Sequence, residues 1–534
     1  MFVPLTPLEF ERRAVLLYGN KVGVVDGERR FTYAEFGARV GRLANALRGL
    51  GIGRGERVAF LCYNCHQLLE AYYGVLLAEA VLLPLNFRLR PEELAYILNH
   101  AEARNLFVDP DFLPLLDRIR PYLDHSLSLA ILDNVDSASD GGAEGPSYDA
   151  LLAAATPERR EIEIDECGVA ELFYTSGSTG RPKGVPMTHR QLHLHALNVM
   201  ASQYGGVTDS DVLLHQVPLF HVNGWGTPHT VTAKGGTHVM LRKFVPAEVC
   251  RLIEQERVTH LLGVPTMYNA LLTHLEQEPH DLSSLRLCTV GGAPSSPALI
   301  RRMTERFGCT CLGGYGLTET TPVITCALPK THLEPLEDAA ARYERAATTG
   351  LPFVGVELRI VDESMIDIPT DGVSIGEIVV KSNVVLPEYF RDPDATAEAM
   401  RGGWFHTGDM AVWNAERYTT IVDRKKDIII SGGENISSIE VEQAVALHPS
   451  VYECAVVAVP DDYWGEVPKA LVALRPGTFC TAEEIIAHCR QHLAGFKTPK
   501  TVEFRDTLPK GGTGKILKAE LREPYWAGQA KRVH

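Results

Sequence analysis

The sequence has no long apolar run. Its longest, VLLAEAVLLPL at 75–85, is too short to cross a bilayer and carries Glu79. There is no excess of positive charge either. The 52 basic residues are outnumbered by 67 acidic ones, for a formal net charge of −15. That argues against a general nucleic-acid binder but leaves room for local basic pockets. The opening MFVPLTPLEFERR lacks the basic-then-apolar pattern of a secretory signal, and the closing Arg532, Val533, His534 carry no targeting tripeptide. A cytoplasmic enzyme is the resulting expectation. The eleven cysteines are odd in number and scattered through apolar segments. In a reducing compartment most of them read as small core residues. Cys62 to His66 spells C-x-x-C-H, the attachment pattern for c-type haem. Haem attachment needs export, so the run is read as a strand end meeting a helix start.

A chain of 534 residues exceeds what one hydrophobic core supports. Over the first 420 or so residues, short apolar runs alternate with helical periodicity. VAFLC at 58–62, NLFVD at 105–109 and LAILD at 129–133 read as strands, HLLGVPTM at 260–267 and LRLCTVGG at 285–292 as strand-then-turn units, and LLEAYYGVLLAEA as a helix. This predicts a large α/β domain of layered mixed sheets with helices. The polar SASDGGAEGPS at 137–147 reads as a surface loop. The texture changes near 427. Ser437 with Glu440 and Thr481 with Glu484 predict capping boxes, and ECAVVAVPD, ALVALRPG and VEF predict strands. A small mobile α+β domain is expected over 426–534, after a first domain over 1–425. The charged DRKKD at 423–427 suits a hinge.

YTSGSTGRPKG at 174–184 has the composition of a phosphate clasp. It is not a P-loop. There a lysine follows a glycine, a hydroxyl residue follows the lysine, and a helix starts at that point. Here Lys183 follows Pro182 and precedes Gly184, VPMT reads as a strand, and a helix begins only near Thr188. Strand–loop–strand is therefore expected. Gly177, Gly180 and Gly184 let backbone N–H groups converge on an anion. Thr175, Ser176, Ser178 and Thr179 add hydroxyl donors.

Four more segments follow in order: GGYGLTETTP at 313–322, WFHTGD at 404–409, DRKKDIIISGGENI at 423–436 and PKGGTGK at 509–515. With these, nearly the whole chain resembles the adenylate-forming superfamily of acyl-CoA synthetases, luciferases and nonribosomal adenylation domains. The resemblance implies the adenylating-enzyme fold, with ATP, Mg²⁺ and CoA as cofactor and co-substrates. It implies that Thr175 to Gly180 and Lys183 grip the β- and γ-phosphates. Tyr315 would stack on adenine and Thr318 touch phosphate, with Gly292, Ala293, Gly314 and Gly316 lining the nucleotide site. Glu319 would help hold Mg²⁺. Asp409 would take the ribose hydroxyls, supported by Arg424. The transition-state lysine would be Lys515. Lys426 would be the hinge, and Gly432 and Gly433 would flank the path of CoA. His221 would gate between acyl site and thiol, with a general-base role as an alternative.

The resemblance also implies an acyl pocket lined by His221, Val222, Trp225, Gly226, Val264, Met267, Gly291 and Val323. No carboxylate lies near 221 to meet an α-amino group, and no carrier-protein segment follows Lys515. PLFHVNGWGTPHT and SGGENISSIEVE look most like the fatty-acid and medium-chain acyl-CoA ligases. An aryl acid stays open, because apolar pockets accept rings as readily as chains. Trp225 reads equally as a tunnel cap or a packing residue. Relatives carry a Gly-Tyr-Trp-like step where this chain has Glu388, Tyr389, Phe390, which puts the local turn in doubt. The expected function is an ATP- and CoA-dependent ligase of a medium- or long-chain fatty acid. The rivals are acyl transfer to a carrier protein and a nucleotide-binding regulator. Expected partners are small molecules, with no nucleic acid, no integral membrane segment and a homodimer as the oligomeric form.

Overall fold

The structure is a computed structural model that describes residues 2–133, 145–175, 181–202, 207–432, 434–461, 463–510 and 516–527, without the Asn435 side chain. It divides into two compact units. One comprises residues 1–357 and 381–405, the other 358–380 and 406–534. The second unit is thus larger than the 426–534 segment.

In the first unit, β1 (Val22–Asp26) joins one sheet, and β2 (Arg57–Leu61) leads into α1 (His66–Leu77) in another. β3 (Val81–Pro84), β4 (Asn105–Val108), β5 (Ser128–Ile131), β6 (Val169–Thr175) and β7 (Lys183–Thr188) complete that second sheet in the order β5-β4-β2-β3-β6-β7. All neighbours are parallel except β6 and β7. Near-continuous apolar strands such as RVAFL are what a sheet covered on both faces requires. α1 is buried along its whole length, as a helix apolar all round must be. The C-x-x-C-H run is the β2–α1 junction. Both thiols are buried, and His66 gives its ring Nδ1 and its backbone N–H to Asp26 at 2.7 and 2.9 Å.

α2 (His189–Ala201) starts at Thr188, which forms a full capping box with Gln191. β8 (Val212–His215), α3 (Val222–Lys234), β9 (Thr237–Met240), α4 (Pro246–Glu256), β10 (His260–Gly263), α5 (Pro265–Gln277), β11 (Leu287–Val290), β12 (Thr310–Gly316) and β13 (Val323–Cys326) follow. Strands β12, β11, β10, β8, β9 and β1 lie side by side and parallel; β13 pairs antiparallel with β12. Residues just past the carboxyl ends of these strands therefore gather at one edge, where α/β sheets bind ligands.

The second unit contains most of β14 (Phe405–Trp413), together with β15 (Thr419–Arg424), α6 (Ser438–Ala446), β16 (Val451–Asp461), β17 (Gly465–Leu474), α7 (Ala482–Cys489), β18 (Thr501–Phe504) and α8 (Lys518–Trp526). Thr481 and Glu484 close the expected capping box. Ser437 caps α6 through Glu440 N–H, but the Glu440 carboxylate takes Lys497 Nζ at 2.7 and 2.8 Å instead of returning to the cap. An ion pair outside the helix has outcompeted the local bond. Most of the 137–147 loop lies outside the described residues. Among the described residues, no helix is long and apolar enough to cross a membrane.

Candidate active site

β6 and β7 are antiparallel, with Thr175 opposite Lys183. The two strands flank the clasp as expected; Ser176, Gly177, Ser178, Thr179 and Gly180 lie outside the described residues. Lys183 Nζ stands 5.1 Å from the centroid of the Tyr389 ring, within cation–π range. The Tyr389 hydroxyl donates to Glu319 Oε1 at 2.9 Å. Burial, and after it the Glu319 carboxylate, push the Tyr389 phenol up, so it remains a donor at neutral pH. Leu386 N–H donates to the Glu319 carbonyl, and Phe390 N–H to the Gly184 carbonyl, both at 2.8 Å. Segment 386–390 is thereby stitched to the clasp and to Glu319 together. Glu388 is exposed and outside the left-handed region, so the departure at this position strains no turn. Tyr389 is the residue the sequence reading passed over; its one signal was its place beside Glu388.

Gly314, Tyr315 and Gly316 end β12, and Tyr315 is buried. Gly292 and Ala293 follow β11, whose Val290 is in register with Gly313. Thr318 and Glu319 sit in a single 3-10 turn, Thr318–Thr320, with Leu317 N–H bonded to Thr320 Oγ1 at 2.9 Å. Glu319 is half-buried. A carboxylate fixed in this way offers the hard oxygen that Mg²⁺ takes.

The acyl candidates converge on an unusual backbone. His221 is the N-cap of α3, and Val222, Asn223, Gly224, Trp225 and Gly226 after it all have positive φ, from 42° to 81°. One left-handed turn built from three non-glycine residues costs about 1–2 kcal/mol per residue, and β-branched Val222 is a marked outlier there. Buried polar groups hold it. Asn223 Nδ2 donates to Glu171 Oε2 at 2.9 Å, and Asn223 Oδ1 accepts from Gly226 N–H at 2.8 Å. His229 Nε2 lies 2.8 Å from Glu171 Oε1. Glu171 is fully buried on β6, four residues before Thr175. A Cβ at Gly226 would stand 2.5 Å from the His195 ring, which is itself bonded to the Val323 carbonyl at 3.1 Å. Glycine is therefore required at 226 for both conformation and space.

The turn lays Trp225 against Gly291, where a Cβ would approach the indole to 3.1 Å. A cavity of about 30 Å³ lies beside Trp225, bounded by Val199, Leu213, Val231 and Leu262. Val264 is the N-cap of α5 and Met267 lies in its first turn, so both sit at the carboxyl end of β10. Val323 begins β13. Glu171 and Asn223 were missed in the sequence. The signal for Glu171 was an acid inside the apolar run VAELFYT.

In the second unit, Asp409 and Arg424 face each other across β14 and β15, with Arg424 Nε 2.6 Å from the buried Asp409 carboxylate. The Lys426 carbonyl and Asp427 Oδ1 accept from Arg522 of α8 at 3.1 and 2.8 Å, and burial lowers the Lys426 ammonium. Gly432 packs beneath the Trp464 ring. Gly433 and Lys515 lie outside the described residues.

Known proteins match this arrangement along the whole chain. A family model described as AMP-binding enzyme matches residues 10–390, and one described as AMP-binding enzyme C-terminal domain matches 440–515. A long-chain-fatty-acid–CoA ligase of Thermus thermophilus is 41% identical, covering 97% of this chain and 95% of its own. The crystal structure of the anthranilate CoA ligase AuaEII with anthranoyl-AMP has a TM-score of 0.87 at 27% identity, covering 98% of each chain. O-succinylbenzoate CoA synthetase (MenE) of Bacillus subtilis, with ATP and magnesium ion, has a TM-score of 0.82 at 27% identity, covering 97% of this chain and 99% of that one.

Proposed function

Since the chain belongs to the AMP-binding enzyme family, we propose that it is an ATP- and CoA-dependent ligase of a carboxylic acid, specifically a medium- or long-chain fatty acid. The observation that carries the acyl choice is the left-handed turn. It presents the Trp225 indole to Gly291, at the carboxyl ends of parallel strands. The long-chain specificity named for the Thermus relative supports this reading.

In the first step a carboxylate oxygen of the acid attacks the α-phosphorus of ATP. The bond to pyrophosphate breaks, and an acyl-adenylate remains. Both reactants are anions, so positioning and charge neutralisation supply the rate. Lys183 and the clasp hold the leaving phosphates. Tyr389 fixes Glu319, the oxygen donor for Mg²⁺, which when bound neutralises phosphate charge. Asp409, oriented by Arg424, takes the ribose hydroxyls. Lys515 neutralises charge between the acid and the α-phosphate. In the second step the CoA thiol, having lost its proton, attacks the acyl carbonyl, and AMP leaves. His221 gates that approach. Lys426 is the hinge between the steps, and Gly432 and Gly433 flank the pantetheine path.

The test is acid-dependent AMP formation, with and without CoA, over straight-chain acids of four to sixteen carbons and several aryl acids. AMP released in step with thioester, with a preference among the fatty acids, is the expected result. Preference for an aryl acid would overturn the acyl choice. Pyrophosphate release that CoA does not stimulate would overturn the acceptor.

A further inference from the structure

We propose that the first unit carries a divalent transition-metal site, separate from the catalytic centre, made by His274, Glu278 and His280. His274 lies in the last turn of α5, Glu278 is its C-cap, and His280 follows in the loop toward β11. The chain turns back here, so that the two imidazole rings lie 5.5 Å apart. Nε2 of His274 and Nε2 of His280 are both buried and have no hydrogen-bond partner among the described residues. They point to one carboxylate. His274 Nε2 is 3.8 Å from Glu278 Oε2, and His280 Nε2 is 3.7 Å from Glu278 Oε1. These separations are too long for hydrogen bonds, yet one ligand atom from each residue lies within 4.8 Å of the others. Metal–nitrogen and metal–oxygen bonds of about 2.0–2.2 Å place neighbouring ligands of a tetrahedral ion roughly 3.3–3.5 Å apart. Each imidazole is a few tenths of an ångström from ligand spacing to its own Glu278 oxygen, and a turn of the exposed Glu278 side chain on ion binding draws the three together.

Two further features belong to a metal centre. His280 Nδ1 lies 3.3 Å from Glu254 Oε2 on α4. A carboxylate behind a ligating imidazole fixes its tautomer and raises its basicity. The Glu278 side chain is 64% exposed, so an ion enters from solvent and keeps open positions for water. Two imidazoles and one carboxylate select Zn²⁺, Co²⁺, Ni²⁺ or Cu²⁺ over Mg²⁺ or Ca²⁺. The site pins the end of α5 to α4 and to the loop before β11. Val264 caps the other end of α5, about 15 Å from His274 at 1.5 Å per residue. The ion is therefore a staple, not a participant in ligation chemistry.

The test is Zn²⁺ titration of tag-free, chelator-treated full-length enzyme by calorimetry, with the visible spectrum of the Co²⁺ form. The expected result is saturation with an ion bound at this cluster, Co²⁺ bands without a thiolate charge-transfer transition, and a rise in Tm on loading. His274→Ala and His280→Ala should each weaken binding by at least a hundredfold, and Glu254→Gln by about tenfold, with acyl-CoA formation unchanged. Glu278→Gln, at an exposed position, gives the same reading should a histidine variant fail to fold. Absence of saturable binding, or binding these variants leave intact, would overturn the proposal. So would a thiolate-to-cobalt band, which would place the ion on the buried Cys288, Cys309 and Cys311.

Discussion

The hydroxyl of Tyr389 reaches Glu319 at 2.9 Å while its ring underlies the Lys183 ammonium at 5.1 Å. One side chain thus couples the cation proposed for the leaving phosphates to the carboxylate proposed for Mg²⁺. Tyr389→Phe keeps the ring and deletes the bond. A hydrogen bond to a charged group is worth about 1.5–3 kcal/mol, so acid-dependent ATP–pyrophosphate exchange should slow about ten- to hundredfold, with a raised Mg²⁺ requirement. Unchanged exchange kinetics would show that Glu319 needs no such support.

Trp225 is expected to close the acyl pocket. Trp225→Ala should shift the preference toward longer acids. Each further buried CH₂ is worth about 0.8 kcal/mol, so two methylenes raise kcat/KM about tenfold relative to the parent enzyme's best acid. A uniform loss across the acid panel would make Trp225 a packing residue.

Glu171 anchors the strained turn through Asn223 and His229. Truncation takes the partner from Asn223 Nδ2 and from His229 Nε2, both buried. Glu171→Ala should cost about 1–3 kcal/mol for each buried group left unsatisfied, read from the denaturant midpoint. Glu171→Gln, which keeps an acceptor, should cost less. In Glu171→Gln the KM for the acid should rise while that for ATP holds; equal changes in both would remove the link to the acyl turn.

Buried histidines set the acid limit of stability. Burial lowers His189 to about 4, and His195 and His215 to about 3, from 6.5. Below pH 6.5 the unfolded chain takes up protons that the folded one refuses, so stability falls with pH until the folded values are reached. Each histidine contributes a slope of about 1.4 kcal/mol per pH unit. Chemical denaturation between pH 4 and 8 should show a plateau above pH 7 and a steep loss below 6.5. A flat profile would contradict neutral burial.

Lys515→Ala should abolish thioester formation from acid and ATP while sparing it from preformed acyl-adenylate. Rapid-quench measurement of both half-reactions decides this, and equal slowing would refute the proposed division of labour.

The sequence by itself determined the layered α/β plan, the strands either side of the clasp and the ordered family segments. Each is local: apolar runs, capping residues and glycine spacing act within a few residues, and pattern reveals them. Only the tertiary structure decided which side chains support the site. Tyr389 meets Glu319 from 70 positions away, and Asn223 meets Glu171 from 52. Glu440 looked like half of a capping box until Lys497, 57 residues on, took its carboxylate. Buried polar atoms must find partners wherever the chain brings them, and that choice is made by packing, which no local pattern encodes. The left-handed turn at Val222–Gly226 is the extreme case. Local preference opposes it, and it persists because Glu171 and the space beside His195 leave the backbone no other course.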